Sequence, residues 1–234
     1  MGASDEIRAV LLDAHGTLLE LDEPVDSLGA ALSAAGFTLP RAVVASAFAA
    51  EVAHYRRHHD AGRNPSSLRQ LRLACGDVFA AALPEPRPTP SQAAELLVEH
   101  VKYRLFPEVG DVLGMLVADG YRLAVVSNWD CSLADVLASL GIAPLFARIA
   151  PSALVGARKP DREHFLRTLR ALGVDPSAAV HVGDDPMRDV AGAVRAGIRA
   201  VLVDRRPDGA ASVSPTISSL GDLPGLLADP PLAW

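Results

Sequence analysis

Residues 7–13 (IRAVLLD) form a short apolar run that ends in an aspartate and is followed by AHGT. Such a run reads as a buried strand feeding a tight turn, with Gly16 as its punctuation. Between 24 and 105 the pattern changes. Alanine and leucine recur at helical spacing, with breaks at Gly36, Pro40, Gly62, Pro65 and the stretch from Pro84 to Pro90. The spacing predicts four helices, near 24–35, 41–60, 66–82 and 91–105, and no strand-like alternation among them. From Pro107 onward helices and strands alternate. A helix near 109–119 stops at Gly120, and 121–127 (YRLAVVS) is a strand. A helix at 132–140 stops at Gly141, and a short strand follows near 146–150. A helix at 161–172 stops at Gly173, and 179–183 (AVHVG) is a strand. A helix at 186–196 stops at Gly197, and 199–203 (RAVLV) is a strand. The tail after Asp204 is rich in Pro, Gly and Ser, with a last helix near 218–227.

Strands alternating with helices predict an α/β fold, a parallel sheet with helices on both faces. The all-helical block separates the first strand from the others, so it reads as an insertion. The expected organisation is an α/β core of 1–19 and 107–234 with a four-helix insert over 20–106. Ligands of open parallel sheets bind at the carboxyl ends of strands. Polar residues end three of these strands: Asp13, Ser127 with Asn128, and Asp184 with Asp185. Lys159 stands in the loop after the short strand.

Composition narrows the function. Half of the 234 residues are hydrophobic and 21% are charged, which excludes wholesale disorder. A net charge of -6 argues against a protein that coats nucleic acid, because phosphate backbones need a basic face. It leaves room for a small anionic substrate. The two cysteines, Cys75 and Cys131, stand far apart, so neither a disulfide framework nor a zinc site is indicated. The N-terminus shows no signal-peptide pattern and no apolar run reaches the length of a membrane helix. The expectation is a cytoplasmic protein without a membrane or nucleic-acid partner, either a monomer or a homodimer. Residues 20–106 carry nine basic and ten acidic residues, so the acidic surplus lies in the core.

DAHGT at 13–17, SNWD at 127–130, RKPD at 158–161 and GDDPMRD at 183–189 resemble, in order, the four motifs of the haloacid dehalogenase-like hydrolase superfamily. Taken singly, each is an ordinary turn or helix start. Four in order at the ends of the expected strands carry the resemblance. It covers the whole chain and implies a Rossmann-like core, with 20–106 standing where one subgroup inserts a helical cap of the C1 type. It further implies a phosphatase acting on a small phosphorylated molecule. Asp13 would be the nucleophile and form an aspartyl-phosphate. Mg2+ would be held by Asp13, the backbone carbonyl of His15, and Asp184. Asp189 would hold a metal-bound water or orient Lys159. Thr17, Ser127 and Asn128 would bind the phosphoryl group, and Lys159 would neutralise its charge. Asp185, followed by Pro186, reads as a helix N-cap.

One position departs from the pattern. Phosphatases of this superfamily usually carry a second aspartate two residues after the nucleophile, as general acid and base, where this chain has His15. Histidine can serve in that role. Alternatively the chain is a catalytically weak or inactive binding protein on the same scaffold. A 2-haloacid dehalogenase is a further reading, since those enzymes also lack the second aspartate. They need no metal, however, and tend to carry a tyrosine where this chain has Phe165. A phosphonate lyase would need a Schiff-base lysine in the insert, where Lys102 is the only lysine. The basic run 54–63 (HYRRHHDAGR) reads as a solvated helix face or a greeting surface for an anion. His54, His58 and His59 lack a nearby acidic partner at metal spacing. Trp129 could pack against the insert or stack on a substrate.

Overall fold

The structure is a computed structural model and describes residues 6–205 and 214–229. The start of the N-terminal stretch and much of the Pro/Gly/Ser-rich tail lie outside the described residues. The chain divides into two compact units, one running to Glu20 and resuming at Leu105, the other Leu21–Arg104.

In chain order the strands are β1 (Ala9–Leu12), β2 (Leu19–Leu21), β3 (Tyr103–Leu105), β4 (Arg122–Ser127), β5 (Arg148–Pro151), β6 (Ala179–Gly183), β7 (Arg199–Val203) and β8 (Thr216–Ile217). The helices are α1 (Pro24–Ala34), α2 (Arg41–His58), α3 (Pro65–Ala81), α4 (Pro90–His100), α5 (Val109–Ala118), α6 (Leu133–Ser139), α7 (Ser152–Val155), α8 (Arg162–Leu172), α9 (Ala191–Arg195) and α10 (Leu223–Ala228).

Six strands form one parallel sheet in the order β5-β4-β1-β6-β7-β8. β1 lies in its interior, with Ala9 level with Arg122 of β4 on one side and with Ala179 of β6 on the other. All four residues of β1 are fully buried, which is why it reads as an unbroken apolar run rather than an alternating one. The strand order reverses at β1, so its carboxyl end is the switch point where parallel sheets place ligands. α8 buries Phe165, Leu169 and Leu172 with Leu11, Val126 and Leu202 of the strands in one core. The Phe165 ring stands edge-on to the His181 ring of β6, 4.9 Å between centroids.

The second unit has its own core, built from Leu28 and Leu32 of α1, Phe48 of α2, Leu71, Cys75 and Phe79 of α3, and Leu97 of α4. Two of its helices start on capping boxes. Asn64 accepts from the Ser66 and Ser67 amides at 3.1 and 3.0 Å, and Thr89 pairs reciprocally with Gln92. Proline occupies the first turn in both, so each helix begins one residue before its expected start.

Several expectations are corrected. The fourth helix ends at His100 rather than near 105. Val101 turns extended, and Tyr103–Leu105 pairs with β2 in a two-stranded ribbon. Lys102 therefore lies beyond that helix, exposed. β8 adds an edge strand next to β7 that local pattern did not disclose. The expected helix over 186–196 opens with a wide turn, in which both the Asp189 and Val190 amides donate to the Asp185 carbonyl; α9 follows. Among the described residues no helix is long and apolar enough to cross a membrane.

Phe165 is fully buried, and a Cβ on Gly192 would lie 3.0 Å from its ring, so nothing can collapse cheaply into its place. Phe165→Ala is expected to lower the unfolding free energy by about 3–5 kcal/mol in chemical denaturation. A loss within the ~0.5 kcal/mol usual for surface changes would contradict this packing.

Candidate active site

The site is assembled on loops that leave the carboxyl ends of β1, β4, β5 and β6. Asp13 follows β1 directly, and its amide donates to the Val182 carbonyl of β6 at 2.9 Å. The next residues curl into a turn in which Thr17, Leu18 and Leu19 all donate to the Ala14 carbonyl. Gly16 has φ 87, and a Cβ there would come within 2.3 Å of the Asp184 carboxylate. Only glycine combines that left-handed backbone with so close an approach. Gly183 serves the same end at β6, since its Cβ would strike the Asp189 side chain at 2.3 Å.

Lys159 is 3% exposed. Its Nζ donates to Asp13 Oδ1 at 2.6 Å and to Asp189 Oδ1 at 2.5 Å. The main chain of Lys159 is gripped by Asn128, whose Nδ2 donates to the Lys159 carbonyl at 2.9 Å and whose Oδ1 accepts its amide at 2.8 Å. This pairing copies the reciprocal hydrogen bonds of a sheet ladder. Asn128, read from sequence as a phosphate contact, is thus engaged at both polar atoms in positioning Lys159. Asp189 is buried, and its Oδ2 accepts the Asp185 amide at 3.1 Å. Of the two roles read for Asp189, the geometry contains the orientation of Lys159.

His181, which sequence reading passed over, completes the cluster. It is fully buried within β6, and its Nε2 lies 2.9 Å from Asp189 Oδ1. A carboxylate only accepts, so Nε2 carries the proton. Burial holds the imidazole below its usual pKa despite the pull of Asp189. The signal was available: a histidine in the middle of an otherwise apolar buried strand needs a partner.

Electrostatics follow from these contacts. Burial alone would lower the Lys159 ammonium, but the charges of Asp13 and Asp189 outweigh it and hold it raised. Burial would raise Asp189, yet Lys159 and His181 hold it well below the carboxylate range. Asp184 is the solvent-facing member of the group, and among the described residues no cation is bonded to it. Partial burial first, and then the negative charges of Asp13 and Asp189, push its carboxyl up to about 7.

Asp13, Asp184 and Asp189 each offer an oxygen within 4.8 Å of the others'. Three carboxylates around one ammonium, with a neutral imidazole, leave two negative charges uncompensated once Asp184 ionises. An all-oxygen donor set with that imbalance fits a hard divalent cation. A second sign points to a ligand. Thr17 Oγ1 is buried without a hydrogen-bond partner among the described residues, a state that costs about 1–3 kcal/mol unless a ligand supplies the bond.

The other expected residues fall as follows. Ser127 is buried at the last position of β4. His15 is half-buried in the turn and forms a single bridge with Leu19. Asp185 caps the wide turn, accepting from the Met187 and Arg188 amides at 2.9 and 2.8 Å. Trp129 is 5% exposed, with its backbone tied to the Ser152 hydroxyl; this burial speaks against stacking on a substrate. In the helical unit the His54 and His58 rings lie 4.4 Å apart. Burial, then the charges of His58 and Arg57, lower His54. The metal-competent group found among the described residues is the one around Asp13.

A parallel α/β sheet whose switch point holds a lysine-bridged pair of carboxylates with a third beside them is an arrangement that suits a hydrolase. The family model for haloacid dehalogenase-like hydrolases matches residues 7–197, and the chain belongs to that family. It is 40% identical over 138 residues to the phosphoserine phosphatase of Thermus thermophilus, a match covering 56% of this chain and 55% of that one. The chain thus spans about half the length of that curated relative. Among solved structures it resembles a haloacid dehalogenase-type phosphatase from Thermococcus onnurineus, with TM-score 0.65, 25% identity, and 94% of this chain and 98% of that one covered. It also resembles a 2-haloacid dehalogenase from Pseudomonas syringae, with TM-score 0.67, 26% identity, and 95% and 98% covered.

Asp184 generates a pH prediction. With metal chelated, its carboxyl keeps a proton up to about 7 in the folded chain but releases it near 3.8 in the unfolded one. The folded state binds the extra proton across that window, so this group's contribution is present at acid pH and is lost as pH rises from about 4 to about 7. The difference in melting temperature between wild type and Asp184→Asn, measured in chelator, should shift against the wild type over that range. A difference independent of pH would contradict the crowding of these carboxylates.

Proposed function

We propose that the protein is a Mg2+-dependent phosphatase of small phosphorylated molecules, working through an aspartyl-phosphate on Asp13. The observation that carries this reading is the Lys159 ammonium held between Asp13 and Asp189 inside a carboxylate group with two charges left over. Phosphate esters and carboxylates repel each other, so a site built to bring them together must supply positive charge. Asp13 and Asp184, with the backbone carbonyl of His15, would hold the ion, with Asp189 beside them, and it would offset charge on the nucleophile and the transferred group when bound.

The chain's own groups divide the remaining work. Asp13 is bonded through Oδ1 to Lys159, which fixes the carboxylate and leaves its other oxygen for attack on phosphorus. The ester oxygen of the substrate departs as the bond to Asp13 forms, and it needs a proton when it is an alkoxide. His15 is proposed to give that proton and afterwards to take one from the water that hydrolyses the aspartyl-phosphate. The Thr17 hydroxyl would find its missing partner in a phosphoryl oxygen, with Ser127 donating from the neighbouring strand end. Lys159 neutralises charge throughout, oriented by Asp189 and Asn128. The helical unit Leu21–Arg104, which enters the chain directly after the Asp13 turn, is proposed as a cap on the basis of that insertion point. The phosphatase relative at 40% identity supports the choice of substrate class.

The substitution at 15 favours a second reading, a binding protein that has kept the scaffold and lost turnover. A panel of phosphorylated metabolites, assayed with and without Mg2+ and with Asp13→Asn as the blank, separates the two. Metal-dependent release of phosphate, absent in Asp13→Asn, is expected; metal-dependent binding with no turnover anywhere in the panel would favour the second reading. His15→Ala is expected to lower turnover of alkyl phosphates far more than that of an activated aryl phosphate, whose leaving group needs no proton. Equal losses on both would remove His15 from the acid–base role.

A further inference from the structure

Arg205 lies two residues beyond the end of β7 and reaches back to the turn that follows Asp13. Its Nη2 donates to the Thr17 carbonyl at 2.9 Å and its Nε to the Gly16 carbonyl at 3.3 Å. Those carbonyls belong to the peptide groups on either side of the Thr17 Cα. Holding both planes fixes the φ and ψ of Thr17, and therefore the direction of its Cβ, from which the hydroxyl reaches out in one of a few staggered positions. The arginine is itself held. Its Nη1 donates to Glu108 Oε1 at 2.7 Å, and its guanidinium carbon lies 3.6 Å from the Phe106 ring centroid. The same Glu108 oxygen accepts from the Ser219 hydroxyl at 3.1 Å and the Leu220 amide at 3.2 Å. Arginine and glutamate are each about one-fifth exposed, which shields the pair from solvent more than a surface ion pair.

We infer that Arg205 is a positioning residue for the reaction: its planar fork sets the two peptide planes around Thr17 and so aims the buried Thr17 hydroxyl at the transferred group. The inference rests on the phosphatase reading for its kinetic consequence, and on the contacts alone for its structural one. A guanidinium suits the task because its donors lie in one rigid plane and its face can stack on Phe106, whereas an ammonium is a single point with neither property. The device also ties the nucleophile's turn to the start of α5 and to Ser219–Leu220.

The test uses the full chain and four variants: Arg205→Met, Arg205→Lys, Thr17→Val and the Thr17→Val/Arg205→Met pair. Displacing an oriented group costs up to roughly a hundredfold. Arg205→Met is expected to lower kcat by about ten- to a hundredfold with KM little changed, because the Thr17 bond matters most while charge develops in transfer. Arg205→Lys, which keeps the charge beside Glu108 and is the safer variant for folding, should not restore kcat. In the Thr17→Val background, Arg205→Met should cost little more, as expected when one residue acts through the other. Independently of activity, amide hydrogen exchange over 14–19 should rise in both arginine variants while β1 and β6 keep their protection. Unchanged exchange over 14–19, or losses in the double variant that multiply as independent effects, would overturn the inference. Should the wild type turn over no phosphate ester, the proposed function fails, and the exchange result alone decides whether Arg205 holds the turn.

Discussion

The ammonium of Lys159 sits between two buried carboxylates, 2.6 Å from Asp13 and 2.5 Å from Asp189. Bringing such charges out of water is costly, and only close mutual pairing offsets the cost. Much of the core's architecture serves that pairing. β1 delivers Asp13 from the middle of the sheet, β6 delivers His181 and the turn carrying Asp189, and Asn128 at the end of β4 grips the main chain of Lys159. Removing the lysine alone would strand two carboxylates in a nearly dry place, a strongly destabilising change.

The balance is deliberately incomplete. Lys159 satisfies Asp13 and Asp189, but among the described residues nothing bonded to Asp184 does the same, and its carboxyl is pushed up to about 7. A site with three carboxylates and one ammonium is stable enough to form and still short of positive charge. Under the proposed function that shortage would favour a cation, and a cation would in turn let an anionic substrate approach an anionic nucleophile. The negative net charge of the whole chain does not oppose the proposed function, since the positive charge that an anionic substrate would need is local.

Much of the arrangement was legible from residue order. Asp13 and Asp184 directly follow strands that apolar runs mark clearly, Lys159 and Asp189 stand in the loop and turn further on from β5 and β6, and Asp185-Pro186 reads as a cap, which the structure places at the wide turn before α9. What escaped detection lacks a local signature. β3 follows α4 after only two residues, and its strand character depends on β2, some eighty residues earlier. β8 is a two-residue edge strand defined by its pairing with β7. His181 occupies a strand whose apolar run conceals its one polar member. Asn128 enters as a phosphate contact only through the family resemblance, and its pairing with the backbone of Lys159, 31 residues away, has no local signature. Arg205 stood in a tail that composition alone describes as irregular. In each case tertiary hydrogen bonding decided the role.

In the proposed reaction Asp13 becomes the phosphoryl acceptor. Acid-quenched reactions with a substrate found in the metabolite panel, followed by peptide mass spectrometry, measure this directly. The peptide containing Asp13 is expected to gain the mass of one phosphoryl group during turnover, and Asp13→Asn is expected to abolish the gain. Phosphate release at full rate with no label on Asp13 at any quench time would contradict it.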